Sequence, residues 1–330
     1  MPPSPRRNAS RPLTSPSRRR FLGASATLLT LGVAGPALWP FAAAGHANAN
    51  TSDAEAIHRK TIPGTDESLP TIGMGTYITF NVGPGRAERE PLAEVLRIFF
   101  EHGGAMIDSS PMYGQAEAVL GDLLAAMDFT DGLFSATKVW TRSTSAGGAQ
   151  IDDSLELWGI PRFDLMQVHN LVNWQEHLET MRVRRDDGAI RYLGITTSHG
   201  RRLDEFERIM RNEPIDFVQL TYNVVDRWAE ETLLPLARER GIAVIANRPF
   251  QGGRLFDRFA DAPLPNWASD AGIDNWAQFF LKFIVSHPAV TCAIPATSQP
   301  AHMRENMGAL LGPVPDAATR NAMTEYIAEL

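Results

Sequence analysis

The sequence predicts an α/β fold, a (β/α)8 TIM barrel with an N-terminal β-hairpin and an extra C-terminal helix. Three observations predict it. Short apolar segments alternate with amphipathic segments eight times, which favours parallel strands joined by helices. Segments such as RYLGI and IAVIA are almost continuously apolar, as strands buried on both faces are. The length left after a 49-residue leader is set aside, 281 residues, suits one barrel domain.

The elements follow one another in a regular order. A hairpin is predicted at residues 57–68, with its turn at Pro63-Gly64. The eight strands are predicted at 71–77, 105–108, 132–138, 163–168, 191–195, 215–221, 242–247 and 290–295. The helices are predicted at 91–102, 114–127, 146–158, 175–186, 200–212, 229–240, 271–286 and 301–311, and a further helix at 315–329 lies outside the repeat.

A doubly wound open sheet is the main rival architecture. It would carry a G-x-G-x-x-G turn after its first strand. Here Gly73, Met74 and Gly75 provide only the first half of that pattern, and Thr, Tyr and Ile follow. The barrel is therefore the preferred prediction.

Residues 1–49 are predicted to be a signal peptide that is removed, leaving residues 50–330 as the mature domain. The first acidic residue of the chain is Asp53, and six arginines precede it. The apolar run from Phe21 to about Gly35 is shorter than the roughly 20 residues of a membrane span. A small-x-small pattern at Ala47 and Ala49 then resembles a cleavage site.

The segment Ser17-Arg18-Arg19-Arg20-Phe21-Leu22 resembles a bacterial twin-arginine export signal. This resemblance implies the twin-arginine translocase as a partner during export and a periplasmic or secreted location. No stable membrane span is expected after cleavage. A disordered basic tail or a single membrane anchor remains the alternative.

The net charge and the cysteine content bear on the binding partners and on the compartment in which the chain folds. The chain has 31 basic and 38 acidic residues, and removal of the six leader arginines leaves 25 basic residues, a net charge of −13. This acidic balance argues against nucleic acid as a partner. Cys292 is the single cysteine, so no intramolecular disulfide forms, which fits folding in a reducing cytoplasm before export.

Four side chains with complementary chemistry stand at three successive strand ends. Active-site residues of such barrels lie at the carboxyl ends of the strands. Those ends give Asp108 with Tyr113 behind it, then Lys138, then His169. A lysine close to a phenol favours the phenolate and makes the phenol a stronger acid, while a carboxylate holds the lysine charged. The set suits proton delivery to a carbonyl oxygen while another group delivers hydride.

Each of these residues has a structural alternative when taken singly. Asp108 would serve as a helix N-cap, His169 as a core histidine with satisfied hydrogen bonds, and Lys138 as a strand-end residue that reaches solvent. The four together favour a catalytic set.

Six segments in order resemble one family. LPTIGMGTY, MIDSSPMYGQAEAVLG, TKVW, LMQVHN, GAIRYLGIT and IPATSQPAHMREN, spread over about residues 57–312, resemble the aldo-keto reductase family. The resemblance implies NADPH-dependent reduction of an aldehyde or ketone. It implies Tyr113 as general acid, with Asp108, Lys138 and His169 as partners. It also implies a cofactor lying extended across the barrel mouth.

The resemblance further implies a set of cofactor-binding positions. Thr196 and Thr197 stand where the family commonly has Ser-Asn. Asn247 stands where it often has an aromatic ring stacked on the nicotinamide, so either the hydride geometry is set otherwise or Trp140 or another ring compensates. The remaining positions are Gly75, Thr76 and Tyr77 near the nicotinamide, Gln219 at the carboxamide, Arg248 and Pro249 at the pyrophosphate, Ala296, Thr297, Ser298, His302 and Arg304 near a 2′-phosphate, and Glu305 and Asn306 at the adenine.

The substrate is predicted only as a small-molecule carbonyl compound, and NADH is a less favoured cofactor than NADPH. No spacing typical of a metal site stands out. Two other functions stay open from the sequence. One is a barrel that binds NADP(H) as a redox sensor or scaffold with little turnover. The other is a related isomerisation or water elimination.

Overall fold

Eight parallel strands form a nearly closed barrel in the computed structural model, which describes residues 56–127 and 132–330. The leader predicted at 1–49 lies outside the described residues. The strands pair in chain order, as the sequence predicts. They are β3 (Met74–Gly75), β4 (Met106–Asp108), β5 (Phe134–Val139), β6 (Phe163–Val168), β7 (Ile190–Thr196), β8 (Phe217–Thr221), β9 (Ala243–Asn247) and β10 (Cys292–Ala293).

The first and last barrel strands meet through the backbone. Ile72 bridges Ala293 in parallel. The amide of Gly73 donates to Ala293 O at 2.8 Å, and that of Gly75 donates to Pro295 O at 2.9 Å. A Cβ on Gly75 would stand 3.1 Å from Ile294 O, so this close approach of two backbones favours glycine.

Helices follow the strands and cover the outside of the barrel. Apolar residues of both layers form the larger of two buried clusters. The helices are α1 (Arg86–Glu101), α2 (Ala116–Ala125), α3 (Thr144–Trp158), α4 (Trp174–Asp186), α5 (Leu203–Asn212), α6 (Leu233–Arg240), α7 (Arg254–Arg258), α8 (Trp276–Val285), α9 (Pro300–Gly308) and α10 (Ala317–Glu329).

An antiparallel hairpin precedes the barrel, as predicted. It consists of β1 (Arg59–Thr61) and β2 (Ser68–Pro70). Ile62 and Leu69 of this hairpin belong to the second buried cluster, together with strand residues such as Leu165 that point into the barrel. The hairpin therefore packs against the amino ends of the strands and leaves the carboxyl ends for the site.

Helix boundaries are where the structure departs most from the sequence prediction. The helix α1 begins at Arg86, five residues earlier than predicted, and contains Pro91. The helix α8 begins at Trp276 rather than 271, because the Asn275 side chain caps it by accepting from Gln278 N at 2.9 Å. The short α7, which follows two glycines with positive φ, was not predicted.

Two glycines inside helices provide a matched test of packing. A Cβ on Gly121 in α2 would overlap the carbonyl oxygen of Leu157 in α3, whereas a Cβ on Gly148 in α3 would meet only Arg184 Nη2 at 3.6 Å and Thr180 Cγ2 at 4.0 Å. We expect Gly121→Ala to lower the free energy of unfolding by about 3 kcal/mol through overpacking. We expect Gly148→Ala to raise it by about 0.5–1 kcal/mol through helix propensity.

Urea unfolding of the two variants beside the wild type measures both changes as shifts in midpoint. Equal midpoints for the two variants would show that α2 and α3 are not in backbone contact at Gly121.

Candidate active site

The carboxyl ends of β4, β5 and β6 bring the four predicted catalytic residues together. Asp108 ends β4, Lys138 lies near the end of β5, and His169 directly follows β6. Tyr113 ends a 3₁₀ turn, Pro111–Tyr113, that begins just after β4. The serine before that turn, Ser110, caps it through its side chain.

Lys138 and Asp108 form a buried ion pair. Lys138 Nζ donates to Asp108 Oδ2 at 2.5 Å and to Ser109 O at 2.7 Å, and the two side chains are 0% and 3% exposed. Burial acts to lower the pKa of Lys138, but Asp108 and Tyr113 outweigh it and the pKa is raised. The lysine is therefore a fixed cation and does not reach solvent, and Asp108 is a lysine partner rather than a helix cap.

The second carboxylate oxygen of Asp108 accepts from two amides. Gln167 Nε2 donates to Asp108 Oδ1 at 3.0 Å, and Gln219 Nε2 donates to the same atom at 2.9 Å. Gln167 is fully buried on β6. Because a buried carboxylate is costly unless its oxygens are bonded, the two glutamines stabilise Asp108 at the oxygen that the lysine does not bond.

The Tyr113 ring is surrounded by the other members of the set. Lys138 Nζ lies 5.1 Å from its centroid. The rings of Tyr77 and His169 meet it edge-on, with centroids at 5.0 and 5.8 Å. Burial raises the pKa of Tyr113 and the Lys138 charge opposes that shift without reversing it. The lysine acts in the direction that the sequence predicts, since it favours the phenolate, but desolvation is the larger effect and the pKa of Tyr113 is raised overall.

His169 is a buried, neutral imidazole. Burial, followed by the Lys138 charge, lowers the pKa of His169 to about 3. Its Nδ1 lies 2.9 Å from Ser110 Oγ. The ring is therefore available near neutral pH as a hydrogen-bonding group rather than as a cation.

The loop after the first barrel strand lies beside this set. Thr76 Oγ1 donates to Ser109 Oγ at 2.8 Å and to Asp108 O at 3.2 Å. Tyr77 is half exposed and contacts Tyr113. A Cβ on Gly75 would be 3.6 Å from the Cβ of Ala296, so the predicted segments 75–77 and 296–298 are neighbours across the closure of the barrel.

The predicted nicotinamide contacts sit on three adjacent strand ends. Thr196 Oγ1 accepts from Asn170 N at 3.0 Å, and Thr197 Oγ1 donates to Arg201 O at 2.7 Å. Gln219 pairs with Thr196 in the strand register. Its Oε1 has only a weak contact, 3.5 Å from Asn247 Nδ2, so this oxygen can still accept from a carboxamide.

Asn247 ties these strand ends together. Its Nδ2 donates to Thr197 O at 3.0 Å, and its Oδ1 accepts from Thr221 Oγ1 at 2.8 Å. Its amide is thus held by neighbouring strands and does not stand in for a stacked ring. Trp140, which follows β5, is 43% exposed and remains the aromatic candidate named from the sequence.

A cavity of about 380 Å³ lies at the carboxyl ends of β8 and β9. Arg248, Arg254 and His199 line it, with Asp226 as the acidic residue. Burial, then the charges of Arg248 and other arginines, lowers the pKa of His199. Guanidinium groups in a concave site suit phosphate oxygens, so this cavity fits the pyrophosphate of a dinucleotide. Pro249 directly follows Arg248 in the same loop.

Of the predicted 2′-phosphate and adenine positions, His302, Arg304, Glu305 and Asn306 lie on α9, whereas Ala296, Thr297 and Ser298 precede that helix. Arg304 is 51% exposed, and its Nη2 lies 3.1 Å from Glu94 Oε1 of α1. Its charge is therefore shared with a carboxylate. His302 and Glu305 are exposed, and Asn306 is buried.

Two residues at the site escaped the sequence analysis. Ser110 and Gln167 each contact a catalytic candidate, yet neither residue type signals catalysis by itself. The signal was positional, since Gln167 lies two residues after Leu165 on the strand face that points into the barrel, and Ser110 precedes a proline at a turn. Within residues 56–127 and 132–330, no three His, Cys, Asp or Glu side chains are grouped so as to hold a metal. The helices of the same ranges include none long and apolar enough to cross a membrane.

A parallel barrel with these four side chains and an arginine-lined cavity at the carboxyl ends of its strands has the arrangement expected of a barrel oxidoreductase. The model of the "Aldo/keto reductase family" matches residues 71–321. The chain belongs to the aldo/keto reductase family.

Two curated relatives illustrate the similarity. The aldo-keto reductase YhdN of Bacillus subtilis (strain 168) is 27% identical over 200 residues, which cover 56% of this chain and 60% of the relative. The NADH-specific methylglyoxal reductase of Escherichia coli (strain K12) is 26% identical over 226 residues, which cover 58% and 67%. The chain thus matches about three fifths of the first of these relatives.

Solved structures agree with this fold. An aldo/keto reductase from Klebsiella pneumoniae in complex with NADP and acetate is 26% identical with a TM-score of 0.68, covering 80% of this chain and 93% of that one. A structure from the same organism in complex with NADPH is 25% identical with a TM-score of 0.68, covering 82% and 95%. The family is generally one of NAD(P)H-dependent carbonyl reductases, which favours the enzyme over a sensor or scaffold.

Proposed function

We propose that this protein reduces an aldehyde or ketone to an alcohol with NADPH as hydride donor and Tyr113 as general acid. The observation that carries the proposal is the position of Tyr113. Its ring centroid lies 5.1 Å from Lys138 Nζ and 5.8 Å from the centroid of the His169 imidazole, at the mouth of the barrel. A phenol next to a fixed cation and a neutral imidazole can hold a carbonyl oxygen and protonate it.

The chain's own residues have separate tasks in this reaction. A dinucleotide, when bound, would supply hydride to the carbonyl carbon. Tyr113 donates its proton to the carbonyl oxygen, and the phenolate that results is stabilised by Lys138. Asp108 keeps Lys138 charged and in place. His169 orients the carbonyl oxygen by a hydrogen bond.

The direct test is NADPH oxidation by the purified mature domain with a panel of aldehydes, ketones and dicarbonyls. Turnover of at least one carbonyl class, with formation of the alcohol, is the expected result. Tight dinucleotide binding without turnover on the whole panel would instead support the sensor function.

The proposal includes a preference for NADPH over NADH. A relative is NADH-specific, whereas solved neighbours bind NADP or NADPH. We expect Arg304→Ala to weaken NADPH binding about tenfold and to leave NADH binding unchanged, because the guanidinium would contact the 2′-phosphate once it turns from Glu94. Arg211→Ala, which removes a half-exposed arginine paired with Glu207, is the matched control.

Fluorescence titration with both dinucleotides measures these affinities. Equal loss of NADPH and NADH affinity in Arg304→Ala would assign the residue to the shared part of the cofactor or to stability. Equal affinity of the wild type for both dinucleotides would reject the preference for NADPH.

We also propose that the protein is exported folded through the twin-arginine pathway and works in the periplasm. Replacement of Arg18 and Arg19 together by Lys should leave it in the cytoplasm, folded and active, because that pathway needs the arginine pair rather than charge alone. Cell fractionation and N-terminal sequencing check this, with a mature start near Asn50 expected. Normal export of the double-lysine variant would reject the twin-arginine route.

A further inference from the structure

Ser110 holds two catalytic candidates at once. Its Oγ accepts from Met112 N at 3.2 Å, and its carbonyl accepts from Tyr113 N at 2.9 Å, which closes the turn that carries the phenol. The same Oγ lies 2.9 Å from His169 Nδ1, on a different strand end. One buried hydroxyl therefore connects the tyrosine turn to the imidazole.

The single proton of the Ser110 hydroxyl determines which nitrogen of the His169 imidazole is protonated. A serine hydroxyl has one proton to donate and can accept two bonds. Ser110 is fully buried, and the described residues give its Oγ two partners, Met112 N and His169 Nδ1. Met112 N is a donor, so it takes an acceptor position on Oγ. If Nδ1 also carried a proton, the serine hydrogen would be buried without an acceptor, which costs about 1–3 kcal/mol.

We propose that Ser110 is a positioning residue that donates its hydroxyl proton to His169 Nδ1 and thereby holds the imidazole as the Nε2–H tautomer, so that His169 is a hydrogen-bond donor to the substrate carbonyl. The lowered pKa of His169 agrees with this tautomer, because a neutral imidazole carries its one proton on either Nδ1 or Nε2. The donor role rests on the proposed carbonyl reduction, whereas the tautomer does not.

The position of Ser110 also indicates which nitrogen of the His169 ring is available to the substrate. Nδ1 faces Ser110, so Nε2 is the ring nitrogen left for a carbonyl oxygen. A carbonyl accepts only, so the reverse tautomer would place a lone pair against a lone pair. By selecting one of the two neutral tautomers, the serine makes Nε2 of His169 a hydrogen-bond donor that acts beside the Tyr113 hydroxyl.

The tautomer is measured by ¹⁵N NMR of the histidine-labelled mature protein without substrate at about pH 7. The His169 signals, assigned by comparison with His169→Gln, should show a protonated Nε2 and a bare Nδ1. Ser110→Ala should give a mixture of tautomers. Ser109→Ala removes a neighbouring buried hydroxyl, bonded to Thr76 instead, and should keep the wild-type pattern.

Kinetics test whether Ser110 acts through the imidazole. Ser110→Ala should lower kcat about tenfold, the size of one lost hydrogen bond, with a smaller change in KM. In a His169→Gln background the same substitution should change kcat by less than about twofold. Ser110→Thr, which keeps the hydroxyl, should recover the wild-type tautomer.

The outcomes separate the two proposals. A protonated Nδ1 in the wild type would overturn the inference, and that measurement does not depend on any variant folding. A mixture of tautomers in Ser109→Ala would also overturn it, because the effect would then not be specific to Ser110. A full tenfold loss in the His169→Gln background would overturn the positioning role. A wild-type Nε2–H pattern in a protein that reduces no carbonyl would contradict the proposed function and leave the tautomer standing.

Discussion

Tyr113→Phe is expected to lower kcat by about 10²–10⁴-fold, the usual contribution of a general acid. The substitution removes the only proton that this ring can deliver and keeps the ring that packs against Tyr77 and His169. NADPH affinity should stay near the wild-type value, because in the proposed mechanism the hydroxyl contacts the carbonyl and not the cofactor. Steady-state kinetics and a dinucleotide titration of the same preparation measure both quantities.

The matched control is Tyr326→Phe. That hydroxyl donates to Pro263 O at 2.8 Å, outside the set of catalytic candidates, so its loss should leave kcat unchanged. Unchanged turnover in Tyr113→Phe would remove the phenol from the mechanism. A parallel loss of NADPH affinity would move its role to the cofactor.

The raised pKa of Tyr113 gives this test a pH dependence. The donating form is the protonated phenol, and a pKa above the ordinary value of about 10 keeps it protonated through neutral and mildly alkaline pH. Reduction should therefore show no loss assigned to this group between about pH 7 and pH 9. A fall in kcat over that range that disappears in Tyr113→Phe would mean that the Lys138 charge outweighs burial.

The barrel was predictable because it depends on periodicity along the chain. Strands such as β9, Ala243–Asn247, are short apolar runs of the kind buried on both faces, and their order follows from eight repeats. The helix starts were less predictable because single side chains decide them. Helix α8 begins where the Asn275 side chain accepts a hydrogen bond from Gln278 N. From the sequence alone, a start at residue 271 was equally plausible.

The members of the catalytic set were predictable from strand ends, but its electrostatics were not. Charges within a motif can be counted from the sequence, whereas desolvation depends on what covers each group. The phenol shows this, because the lysine was anticipated and the greater effect of burial was not. Gln167 and Ser110 show the same limit, since their roles exist only through contacts with Asp108 and His169.

Lys138→Met is the second large effect, and it should affect both activity and stability. Activity should be lost to a degree similar to Tyr113→Phe, because nothing would then stabilise the phenolate. The free energy of unfolding should fall by about 3–5 kcal/mol, since the Asp108 carboxylate stays buried with only the amides of Gln167 and Gln219. Activity assays and denaturant unfolding measure the two losses separately.

A second substitution separates the loss of stability caused by an unpaired Asp108 from the loss of activity caused by the missing Lys138. In Lys138→Met combined with Asp108→Asn, no buried charge is left without a partner, and the asparagine oxygen can still accept from Gln167 and Gln219. The double variant should therefore regain most of the lost stability and none of the lost activity. Recovery of both would mean that Lys138 serves only to neutralise Asp108. Recovery of neither would place the damage in packing around the methionine, and the ion pair would then lose its assigned role in holding the site.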